Sequence, residues 1–119
     1  MKRLLNLSMM LLIMAMFFMF TACSKKEETL SGTKWVAAYL SNSTLVIEFT
    51  SDTQFQEYMA DQNGNVASTG VDYGTYFYSK DFVKFITHTS TSPFDFATIN
   101  GNILDLTYKT GYKRSFIKK

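Results

Sequence analysis

The stretch STLVIEFT, residues 43–50, decides the fold. Leu45, Ile47 and Phe49 fall on one side of an extended chain, and Thr44, Val46 and Glu48 on the other. Side chains alternate with a period of two along a strand, so this segment reads as a half-buried strand rather than a helix. The chain on either side repeats the pattern. Upstream, residues 33–40 place Trp35, Ala37 and Tyr39 on one face. Downstream, residues 53–60 put Phe55 and Met59 together, and residues 71–79 carry aromatics on both faces, Tyr73 and Phe77 against Tyr76 and Tyr78. Residues 82–88, with Val83 and Phe85 on one side, are followed by 94–99, 103–108 and 112–118. Turn residues separate the runs: Asn42-Ser43, Ser51-Asp52, Asp61 to Asn65, Lys80-Asp81, Ser90 to Pro93, Asn100-Gly101 and Thr110-Gly111. Asn100-Gly101 suits a type I′ hairpin turn, since both residues tolerate positive φ. Val66 to Ser68 is a weak run that reads as part of the preceding loop.

An internal echo supports a meander. SKDFVKFIT (79–87) aligns with NGNILDLTY (100–108), matching Val83 to Leu104 and Phe85 to Leu106. The interval spans two strands and two turns, the repeat of an antiparallel up-and-down sheet. Eight short strands leave exposed edges unless the sheet closes, and a barrel removes them. The expected fold is all-β: a small antiparallel up-and-down barrel of about eight strands. A two-sheet sandwich is the alternative. A domain of about 90 residues buries only roughly 60–65% of its unfolded surface. With no cysteine pair to staple it, the aromatic residues must supply much of the core.

The first 22 residues differ in kind. They hold six of the seven methionines, and Lys2 and Arg3 are their only charges. A short basic start, an apolar run from Leu7 to Phe20 broken only by Ser8, and the small residues Thr21 and Ala22 match a secretory signal peptide. The run from Leu4 to Ala22 approaches the length of a membrane-spanning helix, which is the competing reading. Without Lys2 and Arg3, ten basic residues balance ten acidic ones. The basic pI therefore belongs to the leader, and the composition gives no footprint for nucleic acid.

Cys23 is the only cysteine. It has no disulfide partner in the chain, and only His88 could join it at a metal. Phe20-Thr21-Ala22-Cys23 resembles the bacterial lipobox, with Phe20 where leucine is usual. The resemblance implies that residues 1–22 are cleaved and that Cys23 becomes a lipidated mature N-terminus. Buried acyl chains add about 0.8 kcal/mol per CH₂, so two or more hold a protein on a membrane. Residues 23–29 then form a tether. Ser24-Lys25-Lys26-Glu27-Glu28 resembles the export signal of Bacteroidota surface lipoproteins, although Lys25 and Lys26 fit it less well than acids would. It implies an outer-membrane anchor, with surface exposure favoured over periplasmic.

Residues 30–119 resemble small lipocalin-like, or calycin-like, lipoproteins of Bacteroidota. The carriers are Gly32-Thr33-Lys34-Trp35, Leu45 to Asp52, Gly74-Thr75-Tyr76, Ala97 to Asn102 and the closing Arg114 to Lys119. The resemblance implies a barrel and leaves its role open. True lipocalins are longer, as a deep cup requires, so at this size the barrel could be filled.

Candidate chemistry is sparse. His88 could pair with Ser90 or Asp95, but it reads better as a polar residue at a strand end. The acids show no paired spacing that favours glycosidase work over solubility. Asp61-x-Asn63-x-Asn65 begins like a calcium loop but lacks its glycine and its final glutamate, so it reads as a turn. No catalytic residue, metal or cofactor is expected. The aromatics are the better candidates. If Val83 and Phe85 point inward, Phe82 and Ile86 point out; if Ala97 and Ile99 point inward, Phe94 and Phe96 point out. Exposed apolar patches mark binding. Trp35, Tyr76, Tyr78, Phe82, Phe94 and Phe96 are thus the candidate ligand or partner residues. The expected role is non-enzymatic binding of a small apolar ligand or a protein. The alternative is a structural or inhibitory interaction module on the cell surface.

Overall fold

The alternation of Leu45, Ile47 and Phe49 is realised in a strand whose three side chains are buried. The computed structural model describes residues 29–119, apart from the side chains of 67–69. The expected signal peptide (1–22), Cys23 and the tether up to residue 28 lie outside the described residues. Eight strands follow in order: β1 (Lys34–Leu40), β2 (Ser43–Phe49), β3 (Gln54–Asp61), β4 (Val66–Ser79), β5 (Phe82–His88), β6 (Phe94–Asn100), β7 (Ile103–Tyr108) and β8 (Lys113–Lys118). Each pairs antiparallel with the next, and β8 returns to β1, so the sheet is a closed up-and-down barrel and not a sandwich. The closing seam is short: only Trp35 opposite Lys118 and Val36 opposite Ile117 are in register. Beyond them Arg114 Nη1 reaches the Ala38 carbonyl at 3.4 Å.

The interior is filled. Trp35, Phe49, Phe55, Phe85, Phe94 and Phe116 are the largest side chains shut off from solvent. Several rings meet edge to face, Phe49 and Tyr76 at 4.7 Å, Phe55 and Phe85 at 4.9 Å and Phe85 and Phe94 at 5.0 Å. These are the separations that aromatic quadrupoles favour. A second, smaller cluster of Val46, Tyr58 and Ala60 lies on the outer face of β2 and β3. It explains why Val46 is buried despite sharing a side with Glu48.

One end of the barrel is plugged where the described chain begins. Leu30 belongs to the core, and its carbonyl accepts from the Thr33 amide (3.0 Å) and hydroxyl (2.6 Å). Trp35 Nε1 donates to Thr33 Oγ1, Tyr76 donates its hydroxyl to the Ser51 carbonyl at 2.6 Å, and Thr29 Oγ1 donates to Asp52. Burial, with Asp52 nearby, pushes the Tyr76 phenol up to about 12.

Three expectations are corrected. Val66 to Ser68 is not loop but the start of β4, paired with β3 through Ala60 opposite Val66. The β6–β7 turn is Gly101-Asn102, one residue later than expected. Gly101 has φ +63° and Asn102 no positive φ, which is the φ pattern of a type II′ turn. Lys80 and Asp81, with φ of 49° and 66°, instead form the turn with two positive φ values. The third correction is Phe94, which points into the core. Phe94 opposes Tyr108 while Phe96 opposes Thr107, so Asp95 is an extra residue, a β-bulge. A bulge breaks the period-2 rule at one point and returns the next side chain to the face it would have left. The same happens in β5: Tyr76 opposes Phe85 and Thr75 opposes Thr87, leaving Ile86 extra. Ile86 and Thr87 both face out, and His88 turns in.

Candidate functional site

The end of the barrel opposite Leu30 is open. A cavity of about 500 Å³ lies there, lined by Tyr39, Leu45, Glu57, Met59, Asp72, Ser90, Tyr108, Tyr112 and Arg114 among others. Its volume falls within the roughly 300–1,000 Å³ of small-molecule sites. Its floor is the packed aromatic core, so the cup is shallow.

The charged groups arrive by the same alternation that builds the core. Glu57 sits between inward-facing Phe55 and Met59 on β3. Asp72 lies directly across from it on β4. Like charges opposite one another on one face are destabilising, so this pair works against stability. Arg114 precedes buried Phe116 by two residues on β8 and stands opposite Leu106. Its guanidinium lies 5.1 Å from the Tyr39 ring and 5.4 Å from the Tyr112 ring, cation–π distances. Tyr108 completes that wall. Burial raises its pKa, and the neighbouring Arg114 pulls it partly back, so the phenol keeps its proton at neutral pH.

His88 lies just below. Its side chain is 2% exposed, and its Nδ1 accepts from the Phe94 amide at 3.1 Å. That bond replaces a ladder bond where β5 and β6 part: their register runs only from Phe82 to Lys84 on β5. Because Nδ1 accepts, the ring proton of the neutral tautomer sits on Nε2. Glu57 Oε1 is 2.8 Å from Nε2 but off the N–H axis, and neither atom completes a hydrogen bond. Arg114 Nε is likewise buried without a partner. Such orphaned groups cost about 1–3 kcal/mol each, and proteins keep few of them.

The structure does not assemble the pairings weighed for His88. Ser90 Oγ accepts from the Ser92 amide, and Asp95 pairs with Lys84 at 2.7 Å. Among the described residues, no three His, Cys, Asp or Glu side chains gather as a metal site. Asp61 holds a turn: its carboxylate accepts from the amides of Asn63 and Asn65, which lowers its pKa against a smaller opposing effect of desolvation.

The aromatic candidates divide. Trp35, Tyr76 and Phe94 are core residues, and Tyr78 packs against that core while donating to Asp81. Phe82 and Phe96 are on the outer face, stacked at 5.7 Å, near the exposed Phe77 and Ile86. None of the six lines the cavity. Glu57, Asp72 and Arg114, which do line it, were not singled out by sequence reasoning. The alternation with Phe55 and with Phe116 carried the signal for Glu57 and Arg114. No family model, curated protein or solved structure matches this chain.

Proposed function

We propose that this protein is a membrane-anchored, non-enzymatic binding module whose open barrel mouth takes a small polar ligand. The observation that carries the reading is the 500 Å³ cavity, walled by Glu57, Asp72 and Arg114, at the end away from Leu30. The filled interior argues against the apolar ligand expected at first, because the described residues leave no deep apolar cup. The anchor rests on Cys23 and the leader that precedes it. The described chain begins at the plugged end, so a lipid on Cys23 would leave the mouth facing away from the outer membrane.

The test is a thermal-shift screen of the full-length chain in detergent, with polar metabolites in one arm and fatty acids in the other. A ligand at a hundred times its Kd stabilises by about 2.7 kcal/mol. Stabilisation by fatty acids alone would overturn the polar reading. For the anchor, mass spectrometry of the membrane-extracted protein is expected to show a mature N-terminus at Cys23 that carries acyl chains and is lost in Cys23→Ser; an unmodified Cys23 would refute lipidation. A second reading, a protein-interaction module, is favoured by the stacked outer pair Phe82 and Phe96. In that case Phe82→Ala abolishes partner capture and leaves the mouth's ligand affinity intact.

A further inference from the structure

The charges at the mouth are not mixed; they are sorted. Both carboxylates stand on adjacent strands, Glu57 on β3 and Asp72 on β4, in direct register. Among the described residues that line the cavity, the one cation is Arg114, on β8, which is diametrically opposite β4 in an eight-strand barrel. All three line the same cavity. On the basic side Arg114 Nε is buried without a hydrogen-bond partner, and on the acidic side Glu57 Oε1 has His88 Nε2 at 2.8 Å but completes no hydrogen bond. No ion pair between Arg114 and either acid spans the mouth among the described residues. The protein therefore keeps opposite charges apart across a space that a small molecule would fill.

We infer that the mouth binds a small zwitterion bearing an ammonium at one end and a carboxylate at the other, the chemistry of free amino acids and short peptides. This inference rests on the proposed polar-ligand reading and specifies its ligand class. The ammonium sits against Glu57 and Asp72, where it relieves their mutual repulsion. The carboxylate sits against Arg114, whose planar fork matches a carboxylate better than any other side chain does. A plain anion would gain Arg114 but face two carboxylates. A plain cation would gain the carboxylates but face the guanidinium. Uncharged ligands such as sugars would leave both walls uncompensated in a partly desolvated site, where charge interactions are strong. Tyr39 and Tyr112, both substantially exposed at the rim, offer apolar faces to whatever side chain the ligand carries.

The test is isothermal titration of the full-length chain in detergent with the free amino acids and a panel of dipeptides. The tightest binder is then compared with its N-acetylated and C-amidated forms. Each cap removes one charge, and each is expected to weaken binding at least tenfold. Asp72→Asn is expected to reduce the effect of N-acetylation without lowering the melting temperature; Glu57→Gln serves as the second variant, with circular dichroism as its check on folding. If either cap leaves affinity unchanged, the zwitterion assignment is overturned. If no amino acid or dipeptide binds but a neutral disaccharide or a simple anion does, the assignment falls while the polar-ligand reading stands. If no polar compound of any class binds, both fall.

Discussion

Replacing Phe94 with alanine tests the bulge that turns its ring inward. The side chain is 1% exposed and touches four rings: His88 at 4.3 Å, Phe85 at 5.0 Å, Tyr108 at 5.5 Å and Phe55 at 5.6 Å. An aromatic side chain buries about 150–250 Å². At about 25 cal/mol per Å², the lower figure alone gives about 4 kcal/mol. Core Phe→Ala substitutions fall in the same range, about 3–5 kcal/mol. In a domain of this size each kcal/mol moves the melting temperature by about 4–8 °C. Phe94→Ala is therefore expected to melt about 16–32 °C below wild type. Phe82→Ala is the control. Phe82 is 41% exposed and stacks on the outer face, so its loss costs no more than about 1 kcal/mol. The assay is thermal unfolding followed by far-ultraviolet circular dichroism, with both variants side by side. If the two variants melt together, the Phe94 ring is not in the core and the register at Asp95 is wrong.

Two further outcomes follow from close contacts. An added Cβ at Gly74 would collide with the Thr87 carbonyl oxygen and stand 2.6 Å from the Phe55 ring. Gly74→Ala is expected to cost about 3 kcal/mol through overpacking, read as a lowered midpoint in urea; an unchanged midpoint would refute that approach. Tyr76 holds its proton to about pH 12 when folded, against about 10 when unfolded. Its stabilisation is complete below about pH 10 and is lost as pH rises toward about 12. Tyr76→Phe should flatten the alkaline fall in stability, leaving the smaller part due to Tyr58 and Tyr108, whose pKa values are also raised. Identical alkaline profiles for variant and wild type would overturn this.

The barrel was legible because its signals are local. Period-2 alternation in residues 43–50 and glycine- or asparagine-bearing turns need only a few neighbouring residues to be read. Bulges are not local in this sense. Nothing in Phe-Asp-Phe or Phe-Ile-Thr-His marks Asp95 or Ile86 as extra, because the extra residue is defined by what the partner strand lacks. That is why Phe94 was expected outside and why His88 gave no sign of facing Glu57. The mouth was half legible. Glu57 shares the inward face of Phe55 and Met59, but a charged residue on a core face was read past as surface acidity. Its pairing with Asp72 depends on the register between β3 and β4, which the extra residues of β4 before Val71 shift.

The two-pair seam between β1 and β8 joins the strands farthest apart in sequence. Closing the longest loop carries the largest entropy cost for the fewest register pairs, so the seam is the least favoured pairing in the sheet. Strand β8 is also the last to be synthesised. Until Lys118 is in place, β1 and β7 are both open edges able to capture other chains. The six-residue strand β8 pairs with both of those edges, so it is the clasp that turns a sticky seven-strand sheet into a sealed barrel.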